Sequence, residues 1–389
     1  AMLRIVEVIG QDELKDIDQD TYITPSNADN DDLDQLRFVT NSTLRMIIDN
    51  SGNNGYIGTV LTEELLKKHY EVTGYDVDYF YDCNLDKIET KKIRHIRKDI
   101  RDVNHDDLDG IDIVIHLAGL ANDPLGDFDP KLTEEINYQS TVRLAEICKK
   151  KKVKRFIYAS SQSMYGISDN DKELEEDSSK KNPVTAYAKT KWEAEKKIKA
   201  LNDDNFTVVM FRPSTVFGVS SRLRCDIVYN NLVACAFTTG KIEILSDGSP
   251  WRPVIHVKDL CNAFISGIEA PRELVSGQSF NVGIKNGNYT VKELAEAAQR
   301  VVPGSELVFL NQHTDPRTYK VSFDKILTIL KDYFKPEWNL EKGGNELVKF
   351  FKDVDFSEND FRNIKVNRLK KLESLIYEKK INNRLEWIL

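Results

Sequence analysis

The chain has 389 residues, 30% charged and 40% hydrophobic, with a formal net charge of -8. That length exceeds one ordinary hydrophobic core, so two packed units or one large unit with a lobe are expected. The composition excludes a wholly disordered chain, and the negative charge argues against a non-specific binder of nucleic acid or anionic membrane.

The first 43 residues read as an acidic N-terminal extension, with a short strand within Leu3 to Ile9 and an Asp-rich stretch after it. A more regular pattern begins at Leu44. The apolar run 44–48 is followed by a glycine-rich turn and a helical stretch from Thr59. Further strands are predicted at 72–76, 93–96, 111–117, 155–159 and 206–211, with helices over 132–150 and 186–201. Short strands alternating with helices indicate an α/β fold, a doubly wound parallel sheet of Rossmann type over 44–220.

Beyond Pro213 the regularity loosens. Helices are expected within 222–240, 258–269 and 290–301, and extended segments at 242–245, 254–257 and 279–282. This pattern suits a smaller substrate-binding lobe over 221–340, with possible return elements to the sheet. Residues 341–389 read as a charged tail, helical at 367–379 and lying as a solvated or interface-covering arm. No apolar run reaches transmembrane length and no secretory leader is visible. The five cysteines are scattered without metal-ligand spacing, so no metal site and a cytoplasmic setting are expected.

The turn Gly52-Asn53-Asn54-Gly55-Tyr56-Ile57-Gly58 follows a strand and opens a helix. Gly52 suits the tight turn, Gly55 leaves room for a pyrophosphate near the backbone, and Gly58 lets the helix pack close to the sheet. The unpaired N–H groups of the helix start suit a phosphate. Asp76 ends the second strand, where a carboxylate accepts from ribose hydroxyls and repels a 2'-phosphate, so NAD is favoured over NADP. Asp99 and Ile100, after the third strand, are candidates for the adenine site.

Tyr187 and Lys191 stand four residues apart, on one face of a helix. A phenol is a poor base, with a reference pKa of about 10. A nearby ammonium and a cationic nicotinamide favour the phenolate, so Tyr187 could take a hydroxyl proton while hydride leaves the same carbon. Lys191 would also hold the nicotinamide ribose. Ser161, in a Ser-rich loop after a strand, could orient and donate to the substrate oxygen.

These motifs, together with His116-Leu117-Ala118-Gly119, Asn137, Ser160 through Gly166, Arg212 through Gly218 and Trp251 through Asp259, occur in an order that resembles the extended short-chain dehydrogenase/reductase family, in its nucleotide-sugar epimerase and dehydratase group. The resemblance spans roughly residues 44–330. It implies that Tyr56, Ile57, Leu117, Ala118, Gly119 and Pro213 lie along NAD, with Asn137 steadying the elements behind it. It makes Ser161 the catalytic hydroxyl and Ser163 a second substrate contact. Asn231 would meet the nucleotide diphosphate and Arg252 would pair with it, Arg317 being a second candidate. An Arg fork suits phosphate oxygens. Gly119 through Gly126, with Asn122, would form a loop over the sugar, and His256 would be a packed structural histidine. The resemblance further implies a homodimer paired through 132–150 and 186–201.

Family members that make 4-keto-6-deoxy sugars carry an adjacent Asp-Glu pair where this chain has Gln162-Ser163, and decarboxylases tend to carry glutamate at the second position. C4 epimerisation of a nucleotide-diphosphate sugar through a transient keto-sugar is therefore expected. A nucleotide-sugar dehydrogenase or ketosugar reductase uses the same residues. A non-catalytic NAD-sensing or scaffold protein is the alternative of another class.

Overall fold

The computed structural model describes residues 54–85, 93–168, 172–310 and 318–388, together with the backbones of the strands within 1–53. The chain divides into two compact units, 1–44 and 45–389. In the first, β1 (Glu7–Val8), β2 (Leu14–Lys15), β3 (Thr21–Thr24) and β4 (Arg37–Thr40) pair in sequence as an antiparallel sheet. The expected strand in Leu3 to Ile9 is thus one of four, and Asp-rich residues lie between β3 and β4.

The second unit is built on seven parallel strands. β5 (Arg45–Ile48), β6 (Glu71–Asp76), β7 (Arg94–Arg97), β8 (Ile113–His116), β9 (Arg155–Ala159), β10 (Thr207–Pro213) and β14 (Ser279–Val282) lie in the order β14-β10-β9-β8-β5-β6-β7. The chain runs outward from β5 through β6 to β7, then returns to place β8 on the other side of β5. That reversal is the topological switch point, where open α/β sheets bind ligands beyond their strand ends. The buried strands β8, β9 and β10 are almost wholly covered, as both faces of a parallel sheet require.

The covering helices are α1 (Tyr56–Lys67), α2 (Asp123–Phe128), α3 (Pro130–Glu134), α4 (Ser140–Lys150), α5 (Ala186–Lys199), α7 (Val257–Glu269) and α8 (Arg272–Val275). Residues 132–150, expected as one helix, are helical throughout, but a π-helical turn, Glu135–Gln139, joins α3 to α4. Asn137 sits in that turn, fully buried, and clamps the backbone of Leu120: its Oδ1 accepts from the Leu120 N–H at 2.8 Å and its Nδ2 donates to the Leu120 carbonyl at 3.2 Å.

The remaining elements form a lobe beside the sheet. β11 (Thr215–Phe217), β13 (Trp251–His256) and β15 (Asn288–Thr290) make one small sheet, and β12 (Lys241–Ile244) pairs with β16 (Glu306–Phe309) in another. Helices α6 (Val228–Thr239), α9 (Val291–Val301) and α11 (Leu340–Asp353) pack together, with α10 (Asp324–Ile329), α12 (Glu358–Arg362) and α13 (Arg368–Tyr377) completing the chain. The α9 start is fixed by a capping box between Thr290 and Glu293. His256 is fully buried, stacked on Trp338 with ring centroids 4.0 Å apart, and bonded to Glu346 at 3.0 Å.

The C-terminal segment is not the solvated arm its charge suggests. Its charges lie on one face of amphipathic helices whose other face is core. Leu347 and Phe351 of α11 join the lobe, while Leu372, Leu375 and Leu385 join the core under the main sheet. The Tyr79 hydroxyl donates to the Leu385 carbonyl and the Trp387 indole donates to Val77 at 2.7 Å, so the last residues brace the loop after β6.

Candidate active site

The strand ends at the switch point open into a cavity of about 470 Å3, in the range of small-molecule sites. Ala159, Ser160, Ser161 and Ser163 line it from the loop after β9, Tyr187 and Lys191 from α5, and Pro213 from the end of β10. The register of β9 and β10, with Ala159 opposite Phe211, carries these segments out at one level.

Helix α5 is started by Thr185, whose side chain accepts from the Ala188 N–H. One turn along, Tyr187 and Lys191 share a face. The Ser161 hydroxyl and the Tyr187 phenol both line this cavity, and the serine acts on the phenol to lower its pKa. Burial raises the Tyr187 pKa, the Ser161 hydroxyl and the charge of Arg224 pull it down, and Asp123 pushes it up. The buried Lys191 ammonium donates to the Ala159 carbonyl at 2.8 Å and lies 4.8 Å from the ring centre of Tyr158. Ser161 also accepts from the Ser163 N–H at 3.1 Å, which fixes the turn carrying both serines.

Gln162 stays out of the chemistry. It is buried, and its amide donates to the carbonyls of Arg212 at 2.9 Å and Val282 at 3.3 Å, tying the ends of β10 and β14 together.

Gly52, Asn53 and Arg317 lie outside the described residues. The rest of the glycine turn suits a dinucleotide. Helix α1 starts at Gly55 with no side-chain cap, leaving its first N–H groups for a phosphate. Asp76 closes the turn against β6, accepting from the N–H groups of Asn54 at 3.1 Å and Asp78 at 2.7 Å. Gly119 has φ +148°, and a Cβ there would come within 2.9 Å of Asn137 Oδ1, so the backbone after β8 stays bare beside the helix start. Tyr56, Ile57 and Leu117 reach the cavity wall. Gly58 packs α1 inward and Ala118 is buried after β8. Asp99 is engaged by the N–H, Nε and Nη2 of Arg101, the Ile100 side chain is in the core, and the Ile100 carbonyl accepts from the Val103 N–H at 3.3 Å.

Two expectations for the substrate side change. Residues 123–128 are helix α2 and not loop, because Asn122 caps it, accepting from the Leu125 N–H at 2.9 Å, and Pro124 fits the first turn. Asn122 itself lines the cavity. Asn231 does not. Its amide donates to the Cys225 carbonyl at 2.8 Å, and it faces a separate cavity of about 100 Å3 beside Phe361 and Val366. Helix α6 begins at Val228, and Asn231 in its first turn lies beside residues of the C-terminal segment. Arg252, on β13, lines the large cavity.

Several lining residues carry no sequence signal. Arg224, buried, forms a two-point ion pair with Asp226, both contacts 2.9 Å, and Asn122 Nδ2 approaches Asp226 at 3.4 Å. The pair holds Asp226 ionised against its burial. Asp123 accepts from the Thr185 hydroxyl at 2.6 Å. The contacts of Asn122 with Asp226 and of Thr185 with Asp123 join residues far apart in the chain, so spacing along the sequence does not reveal them.

A sequence model of the NAD dependent epimerase/dehydratase family matches residues 51–283. The chain is 28% identical over 286 residues to a UDP-glucose 4-epimerase of Bacillus subtilis, covering 64% of this chain and 80% of that protein. It is 24% identical over 325 residues to UDP-glucuronic acid decarboxylase 1 of Xenopus tropicalis, covering 80% and 73%. The fold is shared with a Bacillus cereus UDP-glucuronic acid 4-epimerase solved with UDP-glucuronic acid and NAD, at TM-score 0.67 and 22% identity, over 80% of this chain and 100% of that one.

Proposed function

Since the chain belongs to the NAD dependent epimerase/dehydratase family, we propose that it inverts C4 of a nucleotide-diphosphate sugar through a transient keto-sugar. NAD, when bound, supplies the hydride acceptor and the later donor. Tyr187 takes the proton of the reacting hydroxyl and afterwards returns it. Ser161 donates to the same oxygen, and its place on the same cavity as the phenol lets the two groups act on one substrate atom. Lys191, anchored on the Ala159 carbonyl, holds the nicotinamide ribose. Arg252, which lines the same cavity, pairs with the diphosphate. A cavity of about 470 Å3 gives a keto-sugar room to turn and present its other face.

Gln162 is the observation that favours epimerisation over water elimination. Where an acid would be needed, an amide is spent on two backbone carbonyls. The carboxylates of the wall are also engaged, Asp226 by Arg224 and Asp123 by Thr185. The same geometry would serve a net dehydrogenase, and cofactor balance separates the two.

The test is incubation with UDP-glucose and with UDP-glucuronic acid, with and without added NAD, followed by chromatography and mass spectrometry. The expected product has the mass of its substrate, a changed retention and no build-up of NADH. Accumulating NADH, or a product lighter by water or carbon dioxide, would overturn the reading.

A further inference from the structure

The segment between β11 and α6 crosses the mouth of the glycine turn. The Tyr56 hydroxyl donates to the Gly218 carbonyl at 2.8 Å, Ser220 Oγ donates to the Tyr56 carbonyl at 2.8 Å, and the Leu85 N–H donates to the Ser221 carbonyl at 3.3 Å. Arg222 follows. It is only 4% exposed, and its Nε donates at 3.2 Å to the carbonyl of Asn54, inside the glycine turn. Its own carbonyl is gripped at 2.7 Å by Nη2 of the buried Arg368 on α13. The far end of the guanidinium has no such use. Nη1 of Arg222 is buried and has no hydrogen-bond partner among the described residues.

Buried charged donors are normally paired, and an unpaired one marks a missing acceptor. The acceptor is not one of the neighbouring acids. Asp76, Asp78 and Asp82 act on Arg222 by charge, but Asp76 and Asp78 spend their oxygens on the turn and on His95, and Asp82 is paired with Lys371. These carboxylates would repel an anionic diphosphate laid over the turn, and the Arg222 guanidinium, bonded to the same Asn54 of the turn, offsets that field.

We propose that Arg222 is a dinucleotide-binding residue, delivered from outside the strand-turn-helix unit, whose Nη1 donates to the adenosine diphosphate half of NAD. The inference rests on the cofactor and holds whichever sugar is turned over. It also draws in the C-terminal helix, since Arg368 fixes the backbone of Arg222 and α13 thereby sets the position of a cofactor contact.

The test uses the full chain carrying Arg222→Gln and Arg222→Lys. NADH is titrated by energy transfer from tryptophan, and ADP-ribose, which lacks the nicotinamide, by competition. Arg222→Gln should weaken both ligands by the same factor, tenfold or more, and Arg222→Lys by less. Thermal melting with and without ADP-ribose reads the same affinity even in a variant that melts lower, because the ligand-induced rise in Tm depends on ligand concentration over Kd. The rise should shrink in Arg222→Gln. An affinity for NADH and ADP-ribose within twofold of the parent, or an undiminished rise in Tm, overturns the assignment. So does a loss confined to NADH, which would put the contact at the nicotinamide end.

Discussion

The Ser161 hydroxyl and the Tyr187 phenol face one cavity from the loop after β9 and the first turn of α5, and the serine lowers the pKa of the phenol. Their meeting depends on α5 being held against the end of β9, which Lys191 does through the Ala159 carbonyl. Tyr187→Phe keeps the ring and removes the proton-carrying oxygen. Turnover should fall by about 100-fold to 10,000-fold, the usual worth of a positioned acid–base group. NADH affinity and Tm should stay near the parent values. Hydride transfer at the parent rate in this variant would remove Tyr187 from its role.

Arg224 and Asp226 form an ion pair on the cavity that Tyr187 lines. Arg224 lowers the Tyr187 pKa, and activity requires the deprotonated form as base. Arg224→Leu removes that cation and leaves Asp226 unpaired, so the acid limb of the kcat–pH profile should move to higher pH. Asp226→Asn leaves Arg224 unneutralised and should move it to lower pH. Profiles that shift in the same direction, or not at all, would show that the pair does not tune the phenol.

Gly126 lies against the backbone of Tyr187. An added Cβ would come 2.8 Å from Tyr187 Cβ and 3.0 Å from its nitrogen. Helix α2 or α5 must then move. Gly126→Ala should cost about 1–3 kcal/mol in urea unfolding and lower kcat by roughly 100-fold, since an ångström of misplacement has that effect. A variant with parental kcat would show that the two helices separate without disturbing the site.

Glu195 and Arg212 are a buried ion pair behind the site. Glu195 receives Arg212 Nη2 at 2.6 Å and the Ser279 hydroxyl at 2.8 Å. Burial works against its ionisation, but Arg212 and the hydroxyls outweigh it and hold its pKa below the ordinary 4.5. A depressed carboxylate pKa gives stability above the unfolded value and loses it as pH falls through the folded one. Glu195→Ala, which strands Arg212, should cost about 3–5 kcal/mol at neutral pH. Glu195→Gln should flatten the loss of stability below about pH 4.5. Urea unfolding across pH measures both.

The C-terminal segment shows why charge alone misled. At 341–389 the acidic and basic residues dominate the reading, and only the spacing of Leu347, Phe351, Leu372 and Leu375 marks the buried faces. The surroundings of Asn231 were not legible either: its amide is spent on the Cys225 carbonyl, and a helix start without a capping side chain, as in α6, leaves little trace in sequence.

Sequence by itself determined the parallel sheet, the glycine turn and the spacing of Tyr187 and Lys191, because these follow from periods of two and 3.6 residues and from local backbone geometry. Tertiary structure alone decided that Arg224 and Tyr187 line one cavity, that Gln162 is locked to two carbonyls, and that Arg222, fixed by Arg368, reaches the turn. Those contacts span loops of many residues, and a charged side chain carries no mark of its partner until the chain has folded around it.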